Sequence, residues 1–168
     1  SILKRNYNLY PDKYSTMFQY VIAIYQLEEW ENLEEATTEA LQKYPADKDL
    51  TQLRGIARFQ QKKTDKAIES YKEMEKIALA NKDTATLITS YSVLGDLHYE
   101  KNDSKSSFAY YKKALKLNPN ENGVLNNYAY YLALKGKNLK QAYQMSKKTI
   151  ETEPDNPTYL DTFGWILF

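Results

Sequence analysis

His98 is the only histidine of the chain, with Asp96 and Glu100 two residues to either side. These residue types can hold a metal ion or move a proton. On a helix, however, side chains two apart point in different directions, so the three cannot converge. The helix carrying His98 places it in a slot usually filled by an aromatic ring, and a structural role is expected there. Cysteine is absent, which removes disulfides, thiolate metal sites and thiol catalysis. There is no Gly-rich phosphate loop, nucleophile elbow or two-histidine metal motif. Glu34 and Glu35 lie in a charged stretch expected to face solvent. Asn102-Asp103-Ser104 matches a glycosylation acceptor, a pattern short enough to arise by chance. Arg54 and Arg58, four apart on a face that should pack, remain. Their stems can cover a core while the heads reach water or a carboxylate; the alternative is a polar node that reads an anion. None of this is a catalytic constellation, so the expectation is no enzyme, no metal and no cofactor.

The elements that position these residues are helices. The 168 residues are 42% hydrophobic and 27% charged, with five glycines, five prolines and a net charge of +1. That balance suits a folded chain and gives no general attraction to nucleic acid or anionic membrane. No apolar run approaches the roughly 18–20 residues of a membrane span. Capping signals mark helix starts: Asp47, Thr64, Asp103 with Ser104, and Asn156 before Pro157. Asn32 with Glu35 and Asn138 with Gln141 have capping-box spacing. The expected helices are 1–10, 14–28, 32–44, 48–61, 64–80, 84–101, 104–117, 122–135, 138–152 and 157–168.

Proline spacing reveals a period. Pro11, Pro45, Pro119 and Pro154 are 34, 74 and 35 residues apart, and 74 holds two units if one carries six extra residues. In phase with it, TQLRGIAR (51–58), YSVLGDLH (91–98), LNNYAYYL (125–132) and LDTFGWIL (160–167) each have a small residue at the fifth place. Such a residue lets two helices cross closely. ALQKYP (40–45), ALKLNP (114–119) and TIETEP (149–154) form the second column.

At these residues the chain resembles the tetratricopeptide repeat (TPR) family, whose 34-residue helix-turn-helix unit carries W-x2-L-G-x2-Y…A-x3-F…P. Tyr91, Leu94, Gly95, His98, Ser107, Tyr111, Ala114 and Pro119 carry it best. Gly55, Ala67 and Tyr71 add a second unit, Ala142 and Pro154 a fourth. The first unit (Met17, Tyr20, Val21, Ile24) lacks the small residue, and the second has no closing proline, its second helix running on through 74–83. The resemblance implies an all-α, right-handed α-α superhelix, a TPR solenoid of antiparallel helix pairs. It forms one array: a partial repeat at 1–11, repeats at about 14–45, 48–83, 84–119 and 122–154, and a partial repeat at 157–168. The form PDNPTYLDTFGW is similar to bacterial TPR proteins, many of them exported or envelope-associated.

The family's use of the fold implies a non-catalytic scaffold that takes a partner segment in the concave groove. The face two residues before each packed face supplies Tyr25, Gln52, Phe59, Asp96, Tyr99, Asn126, Tyr130, Asp161 and Trp165. None of the residues on that face is Lys or Arg. This argues against a clamp for acidic chaperone tails and against a phosphate-reading stripe for nucleic acid. Aromatic rings, amides and acids suit a neutral or mildly basic protein or peptide segment. Alternatives are a docking arm of a larger enzyme or envelope assembly protein, or a self-assembling array.

The last stretch sharpens the question of assembly. Leu160, Phe163, Gly164 and Leu167 share one helix face, expected to dock near Tyr143 and Ile150. Trp165, Ile166 and Phe168 then lack cover. That pattern suggests a window of about four repeats from a longer solenoid, whose end frays or self-associates through 157–168.

Overall fold

A computed structural model describes residues 13–168. The helix expected over 1–10, its closing Pro11 and the partial repeat at 1–11 lie outside the described residues. The described residues are all-α, nine helices and no strand. They fall into two compact units, the first ending at Thr86 and the second running from Leu87 to Phe168.

In the first unit α1 (Tyr14–Gln26) pairs with α2 (Trp30–Lys43), and α3 (Lys48–Gln60) with α4 (Thr64–Asn81). The unit's last residues open α5 (Thr84–Glu100). Apolar residues at offsets of three and four give each helix one buried stripe. Met17, Val21, Ile24, Leu33, Ala40, Leu41, Leu50, Leu53 and Ala57 meet in one core, each large side chain contributing roughly 1.5–3 kcal/mol by burial. Asp47 caps α3, its carboxylate accepting from the Leu50 N–H at 2.9 Å. Asp83 caps α5 by accepting from the Thr86 N–H at 3.0 Å and holds Lys48 Nζ at 2.7 Å.

The second unit holds the rest of α5, then α6 (Ser104–Leu117), α7 (Asn122–Leu134), α8 (Leu139–Thr152) and α9 (Pro157–Leu167). Its core contains Leu94, Leu97, Tyr111, Ala114, Val124, Leu125, Tyr128, Ala129, Leu132 and Ala142, all nearly sealed from solvent. Asp103 caps α6 through the Ser106 N–H, and Asn156 caps α9 through the Thr158 and Tyr159 N–H groups.

The period is written into the backbone as well. Glu28, Lys62, Asn102 and Gly136 sit in the turns inside successive helix pairs, each with φ between 57° and 61°. Their spacings are 34, 40 and 34 residues. Three of the four are not glycine and hold a left-handed conformation that L-residues disfavour. The six extra residues do not lengthen α4 alone, as the sequence suggests. α4 has 18 residues against 14 in α2, α6 and α8, and α5 has 17 against 13 in α1, α3 and α7. Each helix gains a turn, and the link between them shrinks from four residues to two.

Other expectations need correction. Asn32 starts no helix: α2 begins two residues earlier at Trp30, and the Asn32 amide donates to Glu29 at 2.9 Å. Asn138 precedes α8 but makes no side-chain cap, because its backbone is left-handed (φ 47°). Thr64 is the first residue of α4 rather than its cap.

The largest correction concerns α9. Thr162 is its buried residue, and Phe163 meets the Tyr143 ring of α8 at 5.6 Å. Leu160 and Leu167, expected on the same docked face, are 47% and 60% exposed. The reason lies in the other helices. On α3, a Cβ at Gly55 would touch the Tyr71 ring of α4 at 2.7 Å; on α5, one at Gly95 would touch Tyr111 of α6 at 2.5 Å. The glycine face of α3 and that of α5 thus each meet the helix that follows. α9 therefore turns its glycine face away from α8.

Candidate functional site

In the first unit, Tyr25 is exposed and its ring meets Trp30 edge-on at 6.1 Å. Gln52 and Phe59 are half-buried on α3. Lys62 reaches back from the turn to place Nζ 5.9 Å from the Phe59 ring centre. Counting residues on a helix face misses such a cation, since a lysine in a neighbouring turn can span that distance.

Arg54 and Arg58 send their heads to neighbouring carboxylates, the first of the two roles the sequence allows. Arg54 pairs with Glu73. Arg58 Nε donates to Glu34 at 3.0 Å, and its Nη1 donates to Ser70 Oγ at 3.0 Å and the Lys66 carbonyl at 3.1 Å. Glu34 also accepts from Lys63 at 2.7 Å and Gln61 at 3.0 Å. Burial pushes the Glu34 carboxyl up, but the bonds from Lys63, Arg58 and Gln61 outweigh it and hold it below the usual glutamate range. Glu34 is thus half-buried and the centre of a cross-helix network joining α2, α3 and α4. It also lines an open cleft of about 580 Å³ together with Glu31, Glu35, Glu39, Gln61 and Lys63.

In the second unit, Asp96 turns inward. It accepts a hydrogen bond from the Tyr111 hydroxyl and one from Asn127 at 3.1 Å. Burial raises its carboxyl above the ordinary aspartate range despite both bonds, and burial followed by the Asp96 charge raises the Tyr111 hydroxyl. Asn126 is 4% exposed; its amide donates to Asn127 at 3.3 Å, and its own carbonyl oxygen is buried with no hydrogen-bond partner. Tyr99 stacks on Tyr131 with ring centres 3.6 Å apart, and Tyr131 meets Tyr130 at 5.6 Å. Lys135 places its ammonium 5.6 Å from the Tyr99 ring, a second cation that the helix-face reading overlooked. Tyr130, Asp161 and Trp165 line one cleft of about 410 Å³ together with Leu160, Gly164 and Phe168. Tyr131 and Lys135 lie outside the face that spacing picks out; the run Tyr128 to Tyr131 beside the paired Asn126 and Asn127 is the signal for Tyr131.

His98 packs as a ring. It stacks on Tyr110 at 5.4 Å, and its Nδ1 lies 3.2 Å from Asp103. Among the described residues, no three His, Asp or Glu side chains group to hold a metal ion, and no helix is long and apolar enough to cross a membrane.

The family model for the tetratricopeptide repeat matches residues 88–121. No curated protein matches the sequence. Among solved structures, the MamA protein superposes with a TM-score of 0.74 at 16% identity, covering 90% of this chain and 79% of its own. YrrB, titled a TPR protein with an unusual peptide-binding site, gives 0.73 at 14% identity over 99% of this chain and 82% of its own. A tetratricopeptide repeat protein from Parabacteroides merdae gives 0.73 at 17% identity over 91% of this chain and 58% of its own. Identities this low speak for the fold alone. Residues 88–121 match the tetratricopeptide repeat by sequence, and the described residues share the all-α fold of tetratricopeptide-repeat structures.

Proposed function

We propose that the chain is a non-catalytic scaffold that binds an extended or helical segment of a partner protein on the aromatic face of its first helices. The tetratricopeptide-repeat fold is a protein-interaction scaffold, and YrrB, titled a TPR protein with an unusual peptide-binding site, offers an analogy for the ligand class. The observation that carries the proposal is the convergence of Tyr130, Asp161 and Trp165 on one open cleft. Tyr99 extends that surface through its stack on Tyr131. Exposed rings backed by amides are the usual anchors of protein interfaces. The repeat divisions at about 14–45, 48–83, 84–119 and 122–154, with a partial repeat at 157–168, belong to the same proposal. The preferred segment is neutral or mildly basic, because Asp161 is exposed at that cleft while Lys135 lies over the Tyr99 ring.

Selection of a random peptide library on the immobilised chain tests this. The expected ligands are rich in apolar residues, poor in acids, and bind with little dependence on salt. Tyr99→Ala and Tyr130→Ala should each weaken the selected peptides by about 1–2 kcal/mol without a large change in melting temperature. Acidic ligands whose affinity collapses at moderate salt, or ligands indifferent to both variants, would overturn the reading.

A further inference from the structure

The cleft that Glu34 lines recurs in the second unit with its chemistry inverted. Counted from the left-handed residues Glu28 and Asn102, positions 74 residues apart are equivalent. At the equivalent place Lys105, Phe108, Lys112, Tyr128, Leu132 and Lys137 line a cleft of about 270 Å³. Lys105 stands where the first unit has Glu31, Phe108 where it has Glu34, and Leu132 where it has Arg58. The Glu34–Arg58 network is thus exchanged for an apolar floor. Lys137 keeps the place of Lys63 but lacks the carboxylate that holds Lys63. Among the described residues, Lys105, Lys112 and Lys137 are exposed and form no ion pair. Three like charges around an apolar floor suit an occupant that brings carboxylates and one apolar side chain together.

The chain itself carries such an occupant. Residues 14–42 hold six glutamates and no lysine or arginine, whereas 104–148 hold nine lysines and one acid. Glu31, Glu35 and Glu39 form an exposed stripe at four-residue spacing along α2, and none of the three is ion-paired. Like charges four apart cost a helix stability, a cost that lysines from outside relieve. Just before the stripe, Leu27 is 66% exposed. The later turns have Gln61, Lys101 and Lys135 at that place, so an apolar side chain there departs from the repeat. Glu31 to Glu39 spans about 12 Å of helix, close to the roughly 10 Å from Lys105 to Lys112 on α6. We propose that the basic cleft of the second unit is a docking site for a second copy of this chain. That copy sets Leu27 on the floor of Phe108 and Leu132 and brings its α2 glutamates to Lys105, Lys112 and Lys137. The proposal does not rest on the groove reading.

Sedimentation velocity on the 168-residue chain tests this. Association should grow with concentration at low ionic strength and weaken about tenfold or more as salt is raised. One variant carries Lys105→Glu with Lys137→Glu, another Glu35→Lys with Glu39→Lys, and each should stay monomeric. An equimolar mixture of the two should associate again, because each reversed patch then meets its opposite. A second measurement locates the contact without any charge reversal. The chain has no cysteine, so a nitroxide attached through Gln26→Cys, next to Leu27, labels one site. It should broaden the amide signals of Phe108, Lys112 and Asn138 in a ¹⁵N-labelled second copy. Tyr99→Ala should leave association unchanged, so a failure here is separate from a failure of the groove reading. The proposal is overturned by a chain that stays monomeric at low salt, or by association that survives both pairs of reversals. It is equally overturned by a mixture of the folded variants that does not associate, or by broadening centred on α9.

Discussion

At the scale of single residues, the first unit shows why an arginine can stand where the pattern calls for an apolar side chain. Arg58 and Glu34 are 14% and 15% exposed at the side chain, so both charges are largely withdrawn from solvent, and each is satisfied by at least two further groups. Breaking a buried pair costs roughly 3–5 kcal/mol when the survivor is left alone. Glu34 keeps Lys63 and Gln61, so Arg58→Ala should cost less, about 2 kcal/mol. Urea unfolding measures it, and the double variant with Glu34→Ala should fall short of the sum of the two singles. A loss of partner binding with stability untouched would instead make Arg58 an anion reader.

At the scale of elements, three glycines at one register do different work. Gly55 and Gly95 are pressed against tyrosine rings, whereas Gly164 faces open space. Alanine gains up to about 1 kcal/mol over glycine inside a helix. At Gly95 the added methyl must displace Tyr111, whose hydroxyl is committed to Asp96, so overpacking of about 1–3 kcal/mol outweighs that gain. Gly95→Ala should therefore lower the melting temperature and Gly164→Ala should raise or hold it, as circular dichroism can read. Equal responses would mean that the rings do not pack as described.

At the scale of the whole molecule, two half-buried carboxylates should make the units respond oppositely to acid. The Glu34 carboxyl lies below its ordinary value of 4.5, so its contribution to the first unit is present above that pH and lost as pH falls through the folded value. The Asp96 carboxyl lies above its ordinary value of 3.8, so its contribution to the second unit is present below 3.8 and lost as pH rises through the folded value. The chain has two tryptophans, Trp30 in the first unit and Trp165 in the second, which report on each. Asp96→Asn should stabilise the second unit at neutral pH, since an amide oxygen still accepts from Tyr111 without a buried charge. Glu34→Gln should flatten the acid limb of the first. An unchanged pH profile in both variants would remove these two carboxylates from the account.

Among the described residues, the sequence by itself determined the helices, their phase and the repeat at 88–121. Caps such as Asp47, Asp103 and Asn156 act within three residues, and proline and glycine spacing exposes a period that needs no tertiary information. It also put Tyr130, Asp161 and Trp165 on comparable helix faces, and these share a cleft. Only the tertiary structure decided which neighbour each face meets. Periodicity tells which residues lie together on a helix, but not which adjoining helix they touch, and α9 turns its glycine face the other way for that reason. Nor does it show how far a side chain reaches or how deeply it is enclosed. Lys62 and Lys135 therefore come to rings on faces that carry no cation of their own, while Asp96 and Asn126, placed by spacing on an open surface, are held inward by Tyr111, Asn127 and the core.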